Sequence, residues 1–220
     1  MSSIRSTFTS NAGGWTISGD VASQKWVSSG GDPGGYYSWV DAATGDIDYY
    51  NAPKSFLADK SAYLGGTISY DILDTGNGLT AYDVQLVGDG HTLQYTSTKD
   101  SNFPTPNKWS AAKVYLDAGK FIDTATGTAP SVTELKATLS NLTGLEIRAE
   151  YVNGAESGGL DSVVLATKTT ATAAAQLVQA AASFGGTTGA LSNHGESVHA
   201  ATGHFELVSA GHMALGARVA

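Results

Sequence analysis

The 220-residue chain contains no cysteine, which excludes disulfides, thiolate metal sites and a cysteine nucleophile. No apolar run approaches the roughly 20 residues a membrane-spanning helix needs. The opening residues, MSSIRSTFTSNAGG, hold no continuous apolar stretch of the kind that directs secretion from an N-terminus. Charge is sparse as well. Asp, Glu, Lys and Arg make up 15% of the chain, against about a quarter in ordinary globular domains. Bases are the scarcer sign: 12 Lys and Arg against 20 Asp and Glu leave a net charge of −8. That balance argues against nucleic acid as a partner, because phosphates require a basic footprint; it suits cations. There is no P-loop and no G-x-S-x-G elbow. His91 is the sole histidine of the first 166 residues, so a nucleophilic triad has little to draw on.

Hydrophobic residues still amount to 41%, enough to bury a sizeable core. Composition changes near Thr167. All five prolines, four tryptophans and ten tyrosines lie before it, with every aspartate. The chain therefore reads as a domain over 1–166 and an Ala/Gly/His-rich tail over 167–220. In the first part, about ten short segments rich in aromatic and β-branched residues are punctuated by Gly, Asn, Asp or Pro. GTISYDIL places Ile68, Tyr70 and Ile72 on one face, and LEIRAEYV does the same with Leu145, Ile147, Ala149 and Tyr151. The expected class is all-β, an antiparallel sandwich. One helix interrupts it near 132–141. Ser131 and Glu134 form a capping box, and Val132, Leu135, Leu139 and Leu142 follow as an apolar stripe. In the tail, TATAAAQLVQAAASF is a second helix candidate, ended by Gly185-Gly186.

Several phrases together, STFTSNAGGWTISGD, SSGGDPGGY, FLADKSAYLGGTISYDI, VTELKATLSNLTGLEIRAEY and GGLDSVVL, resemble the laminin B (laminin IV type A) domain. The likeness is to its stand-alone bacterial and plant forms and covers residues 5–166. It implies a jelly-roll β-sandwich similar to carbohydrate-binding modules and carries no catalytic motif. The function expected is a non-catalytic extracellular binding or adhesion module for a glycan or a matrix-type ligand. An enzyme or accessory domain acting on polysaccharide remains the alternative, since fourteen aspartates offer many carboxylate pairs.

For the ligand, the candidates are Trp26, Tyr36, Trp39 and Tyr49, from an aromatic-rich stretch ending at Tyr50. Adjacent pairs such as Tyr36-Tyr37 must point to opposite faces of a strand, so one of each pair fills the core and the other is free to stack on a sugar ring. For a metal, jelly rolls of this kind often hold a structural Ca²⁺ between the N-terminal loops and an Asp opening the last strand. The resemblance thereby points to Asp161, with Asp32 and Asp41 as partners, and to Ca²⁺ as cofactor. The other reading of each Asp is turn chemistry, a side chain accepting from nearby backbone N–H groups. The tail histidines His194, His199, His204 and His212 have spacings unsuited to one helix face and read as polar residues of the tail. The tail itself resembles C-terminal export segments of bacterial type I-secreted proteins, without their nonapeptide repeats.

Overall fold

The computed structural model of the chain describes residues 2–97 and 103–169. The expected tail helix and the tail histidines lie outside the described residues. Among the described residues there are twelve strands: β1 (Ser3–Ser6), β2 (Thr16–Ser18), β3 (Val21–Gly31), β4 (Gly34–Asp41), β5 (Tyr49–Asn51), β6 (Thr67–Asp74), β7 (Val84–Gly88), β8 (His91–Tyr95), β9 (Ser110–Tyr115), β10 (Ile122–Asp123), β11 (Leu142–Arg148) and β12 (Ser157–Ala166). They form two six-stranded antiparallel sheets. The first runs β3-β4-β12-β6-β9, with β1 also pairing β12, and the second runs β10-β8-β7-β11-β5-β2.

Period-two patterning builds the sandwich. In β6, Ile68, Tyr70, Ile72 and Asp74 are buried while their neighbours are half-exposed. Leu86, Leu93, Leu145 and Ile147 come from the second sheet to meet them. Each such side chain contributes about 1.5–3 kcal/mol on burial. Trp39 and Tyr50, both 0% exposed, are among the bulkiest members of this core. Two glycines of β12 make room for Trp39 and for Tyr36. A Cβ on Gly158 would sit 2.4 Å from the Leu73 carbonyl and 2.8 Å from Trp39 Nε1, and one on Gly159 would sit 2.5 Å from the Tyr36 ring. Such close approach is the usual reason for Gly inside a strand.

The helix α1 (Val132–Ser140) starts as expected. Ser131 Oγ accepts from the Glu134 N–H at 3.2 Å, and Glu134 Oε2 accepts from the Ser131 N–H at 2.6 Å. Only the C-terminal half of its apolar stripe is buried, however. Leu135 and Leu139 are in the core, Val132 is 61% exposed, and Leu142 belongs to β11. The helix approaches the sheet at its far end: a Cβ on Gly88 of β7 would lie 2.4 Å from the Thr138 carbonyl, leaving the first turn in solvent. Ser131→Ala should therefore cost about 1 kcal/mol, seen as a melting temperature lower by about 2–4 °C.

Candidate functional site

The four expected ligand-binding aromatics do not share a surface. Trp39 is wholly buried. Trp26 pairs in register with inward-facing Tyr37, and its Nε1–H donates to the Phe8 carbonyl at 2.6 Å. Tyr36 stands half-buried on the outer face of the first sheet, edge-on to Trp109 at 5.4 Å between centroids. Tyr49 stands on the outer face of the second sheet, but Tyr82 stacks on it at 4.3 Å and 10°, leaving it 8% exposed. The side-by-side pair Tyr36-Tyr37 divides between face and core as alternation requires. Tyr49-Tyr50 divides in direction too, yet the stacked Tyr82 covers the outward member.

Beside Tyr82 lies an arrangement with no signature in any single segment. The outward residues of the second sheet fall into register across all six strands: Ile122 opposite Gln94, Gln94 opposite Gln85, Gln85 opposite Glu146, Glu146 opposite Asn51, and Asn51 opposite Thr16. Five inter-strand steps of about 4.8 Å make a row about 24 Å long. Hydrogen bonds fix its middle. Gln94 Nε2 donates to Gln85 Oε1 at 2.7 Å, Gln85 Nε2 donates to Glu146 Oε2 at 2.9 Å, and the Tyr82 hydroxyl donates to the same oxygen at 2.8 Å. Asn51 Nδ2 donates to Ser18 Oγ at 3.0 Å. Burial holds the Tyr49 phenol up to about 12 and raises Tyr82 further, with its bond to Glu146 adding to the rise. Both phenols thus stay neutral donors. A half-exposed ring beside a fixed row of amides and one carboxylate offers what a sugar chain uses: an apolar surface and a ladder of donors and acceptors.

The expected metal ligands also separate. Asp161 lies inside β12 rather than at its start, opposite Asp71 of β6. It is fully buried. Its Oδ2 accepts from the Asp32 N–H and its Oδ1 from the Ser162 N–H, each at 2.6 Å. Ser162, at φ +52° in a bulge, returns a bond from Oγ to the Asp32 carbonyl at 2.9 Å. Burial raises the Asp161 carboxyl, and the two N–H donors oppose that rise. Asp161 and Asp32 are thus brought together, with the acid bracing the turn between β3 and β4. Asp41 is not with them. Leu160 pairs with Tyr37 of β4, so Asp41 sits five positions beyond the residue facing Asp161, about 17 Å along the strand. The three cannot share one cation. Asp41 instead meets Asp20 and Asp48, with ligand oxygens all within 4.8 Å of one another.

Comparison with known proteins accords with this architecture. The family model described as "Laminin B (Domain IV)" matches residues 49–182. The L4b domain of human laminin alpha-2 is similar in structure, with a TM-score of 0.50 and 11% identity over 60% of this chain and 80% of that one. The family 11 carbohydrate-binding module from Clostridium thermocellum, solved with a beta-1,3-1,4-mixed-linked tetrasaccharide, also gives a TM-score of 0.50. It is 16% identical over 77% of this chain and 98% of that one. No curated protein matches the sequence. With its jelly-roll sandwich and a family match that spans more than half of the residues, the chain belongs to the laminin B (domain IV) family.

Proposed function

We propose that the protein is a non-catalytic extracellular module that binds a glycan chain along the outer face of its second sheet. The observation that carries this reading is the in-register row from Ile122 to Thr16, with the Tyr82–Tyr49 stack beside its centre. Its length of about 24 Å accommodates several sugar rings laid across the strands. Each ring would meet an amide, a hydroxyl or Glu146, while Tyr82 supplies the stacking face. The structurally similar family 11 module was solved with a tetrasaccharide, which supports an oligosaccharide chain rather than a single sugar. Support for the absence of catalysis comes from the carboxylates. Glycoside hydrolysis uses two, flanking one bond, and the row contains one. Glu146 already accepts from Gln85 and Tyr82 at one oxygen.

The test is affinity electrophoresis and calorimetry with soluble β-glucans, xylans and matrix glycosaminoglycans, together with a reducing-sugar assay on the same polymers. Saturable binding without product is expected for at least one of them. Glu146→Ala and Tyr82→Ala should each weaken it by about tenfold or more, since each removes one or more polar or stacking contacts worth about 1–2 kcal/mol. Release of reducing ends would favour the polysaccharide-acting enzyme instead, and unchanged affinity in both variants would move the site off this face.

A further inference from the structure

Four acids from four separate segments converge where the two sheets meet at one end. Asp20 lies in the turn between β2 and β3, Asp41 ends β4, Asp48 immediately precedes β5, and Glu150 follows β11. Three of them keep part of their carboxylate occupied by backbone. Asp20 Oδ2 accepts from the Gly45 N–H at 2.9 Å, from Thr44 Oγ1 at 2.5 Å and from the Thr44 N–H. Asp41 Oδ1 accepts from the Ala43 N–H at 2.8 Å. Glu150 Oε2 accepts from the Asp48 N–H at 3.1 Å. The other oxygens are left over. Among the described residues, Asp20 Oδ1, Asp41 Oδ2 and both oxygens of Asp48 are buried with no hydrogen-bond partner. Asp48 is 0% exposed.

Burying a carboxylate with neither a donor nor a counter-charge is costly, and like charges close together add to that cost. The surrounding chain nevertheless makes room for it. Gly19 has φ +113°, and a Cβ there would come within 2.0 Å of Asp48 Oδ1. Thus the unpartnered oxygens occupy a cradle that any side chain at position 19 would fill. Asp161 also lies against a glycine, since a Cβ on Gly31 would come within 2.6 Å of its Oδ2, but both of its oxygens hold N–H donors and neither is left over.

We infer that Asp20, Asp41 and Asp48, with Glu150 beside them, form a calcium site. Calcium takes six to eight oxygens at about 2.3–2.6 Å, so ligands on opposite sides of the ion stand about 4.6–5.2 Å apart. Magnesium, at about 2.0–2.1 Å, needs them within about 4.2 Å and in strict octahedral order. Separations within 4.8 Å lie inside the span calcium allows, and carboxylates drawn from separate connections suit its loose coordination better than a strict octahedron. Water can reach the half-exposed Asp20 side to complete the shell. The ion ties the β2–β3 turn of both sheets to the 42–48 loop and to the end of β11, so its role is to hold these connections.

The site is tested by titrating CaCl₂ into chelator-treated protein by calorimetry and thermal melting. One ion per chain is expected, with a melting temperature raised by about 5–10 °C at roughly a hundredfold excess over Kd. MgCl₂ should bind at least about tenfold more weakly, as the geometry argues. Asp48→Asn should lose both responses yet remain folded in chelator, because it removes the charge the ion would neutralise. Asp161→Asn should keep both. No calcium isotherm with the wild-type chain would overturn the site, as would binding lost in Asp161→Asn and retained in Asp48→Asn. Equal affinity for magnesium would overturn the choice of ion.

Discussion

Arg148→Ala is expected to destabilise the fold by about 3–5 kcal/mol, lowering the melting temperature by roughly 10 °C or more. The guanidinium is buried at the end of β11 and serves three partners. Nη2 donates to Asp83 Oδ1 at 2.7 Å, Nη1 donates to the Leu79 carbonyl at 2.9 Å, and the group lies 3.9 Å from the centre of the Tyr151 ring. Asp83 is itself buried; its Oδ2 accepts from the Ser97 N–H at 2.5 Å, and burial raises its carboxyl against the pull of Arg148. Truncating Arg148 leaves that acid without its counter-charge and the Leu79 carbonyl without its donor. The loss comes from groups left behind more than from the pair itself. The double variant Arg148→Ala/Asp83→Asn should accordingly be less destabilised than the sum of the singles by about 1 kcal/mol or more. Strict additivity in thermal or urea melts would show that Asp83 does not depend on Arg148.

How much of this was legible depends on whether a feature is local. Alternation in GTISYDIL and LEIRAEYV placed Ile68, Ile72, Leu145 and Ile147 inside, and they are inside. Ser131 and Glu134 carry their cap in four consecutive residues. β1 offered no such sign: Ile4 is its single apolar residue, and pairing with β12 makes it a strand. β10 spans two residues held by β8. The resemblance takes Asp161 as opening the last strand, just after Gly158-Gly159. These glycines are strand residues that give way to Trp39 and Tyr36, so Asp161 falls within β12. The row from Ile122 to Thr16 was harder still. Alternation marks Glu146 as outward, but that Gln85, Gln94 and Asn51 line up with it depends on the strand order β10-β8-β7-β11-β5-β2. No periodicity encodes that order. The acid cluster depends on it equally, since Asp48 and Glu150 meet only because β5 pairs with β11.

The metal-free protein should be more stable at pH 5 than at pH 8, against the usual expectation for an acidic chain. Burial, then Asp20, Asp41 and Glu150 nearby, raise Asp48 to about 7. A second buried pair acts in the same direction. Burial raises Glu156, with Asp74 adding to the rise, and burial raises Asp74 as well, so the two share a proton. An acid raised in the folded state holds its proton where the unfolded chain has released it. Its contribution is complete below about pH 4 and is lost as pH climbs through the folded value. For Asp48 that window closes near pH 7. The rise is worth about 4 kcal/mol at most, and solvent reaching the cluster past Asp20 screens it to about half. His91, raised by its bond to Asp123 at 2.7 Å, loses its contribution over the same upward sweep. The groups of opposite sign, Asp20, Asp59, Asp123 and Glu134, are lowered by their hydrogen bonds and act only below the ordinary carboxylate range. Thermal melts in chelator at pH 5, 6.5 and 8 should therefore descend. Glu156→Gln should flatten part of the descent, because a neutral amide replaces the held proton. Calcium should flatten another part, because the ion takes over the role of the proton on Asp48, and its affinity should weaken toward pH 5 for the same reason. A chelated protein whose stability is level or rising from pH 5 to pH 8 would mean that these carboxyls titrate as though exposed.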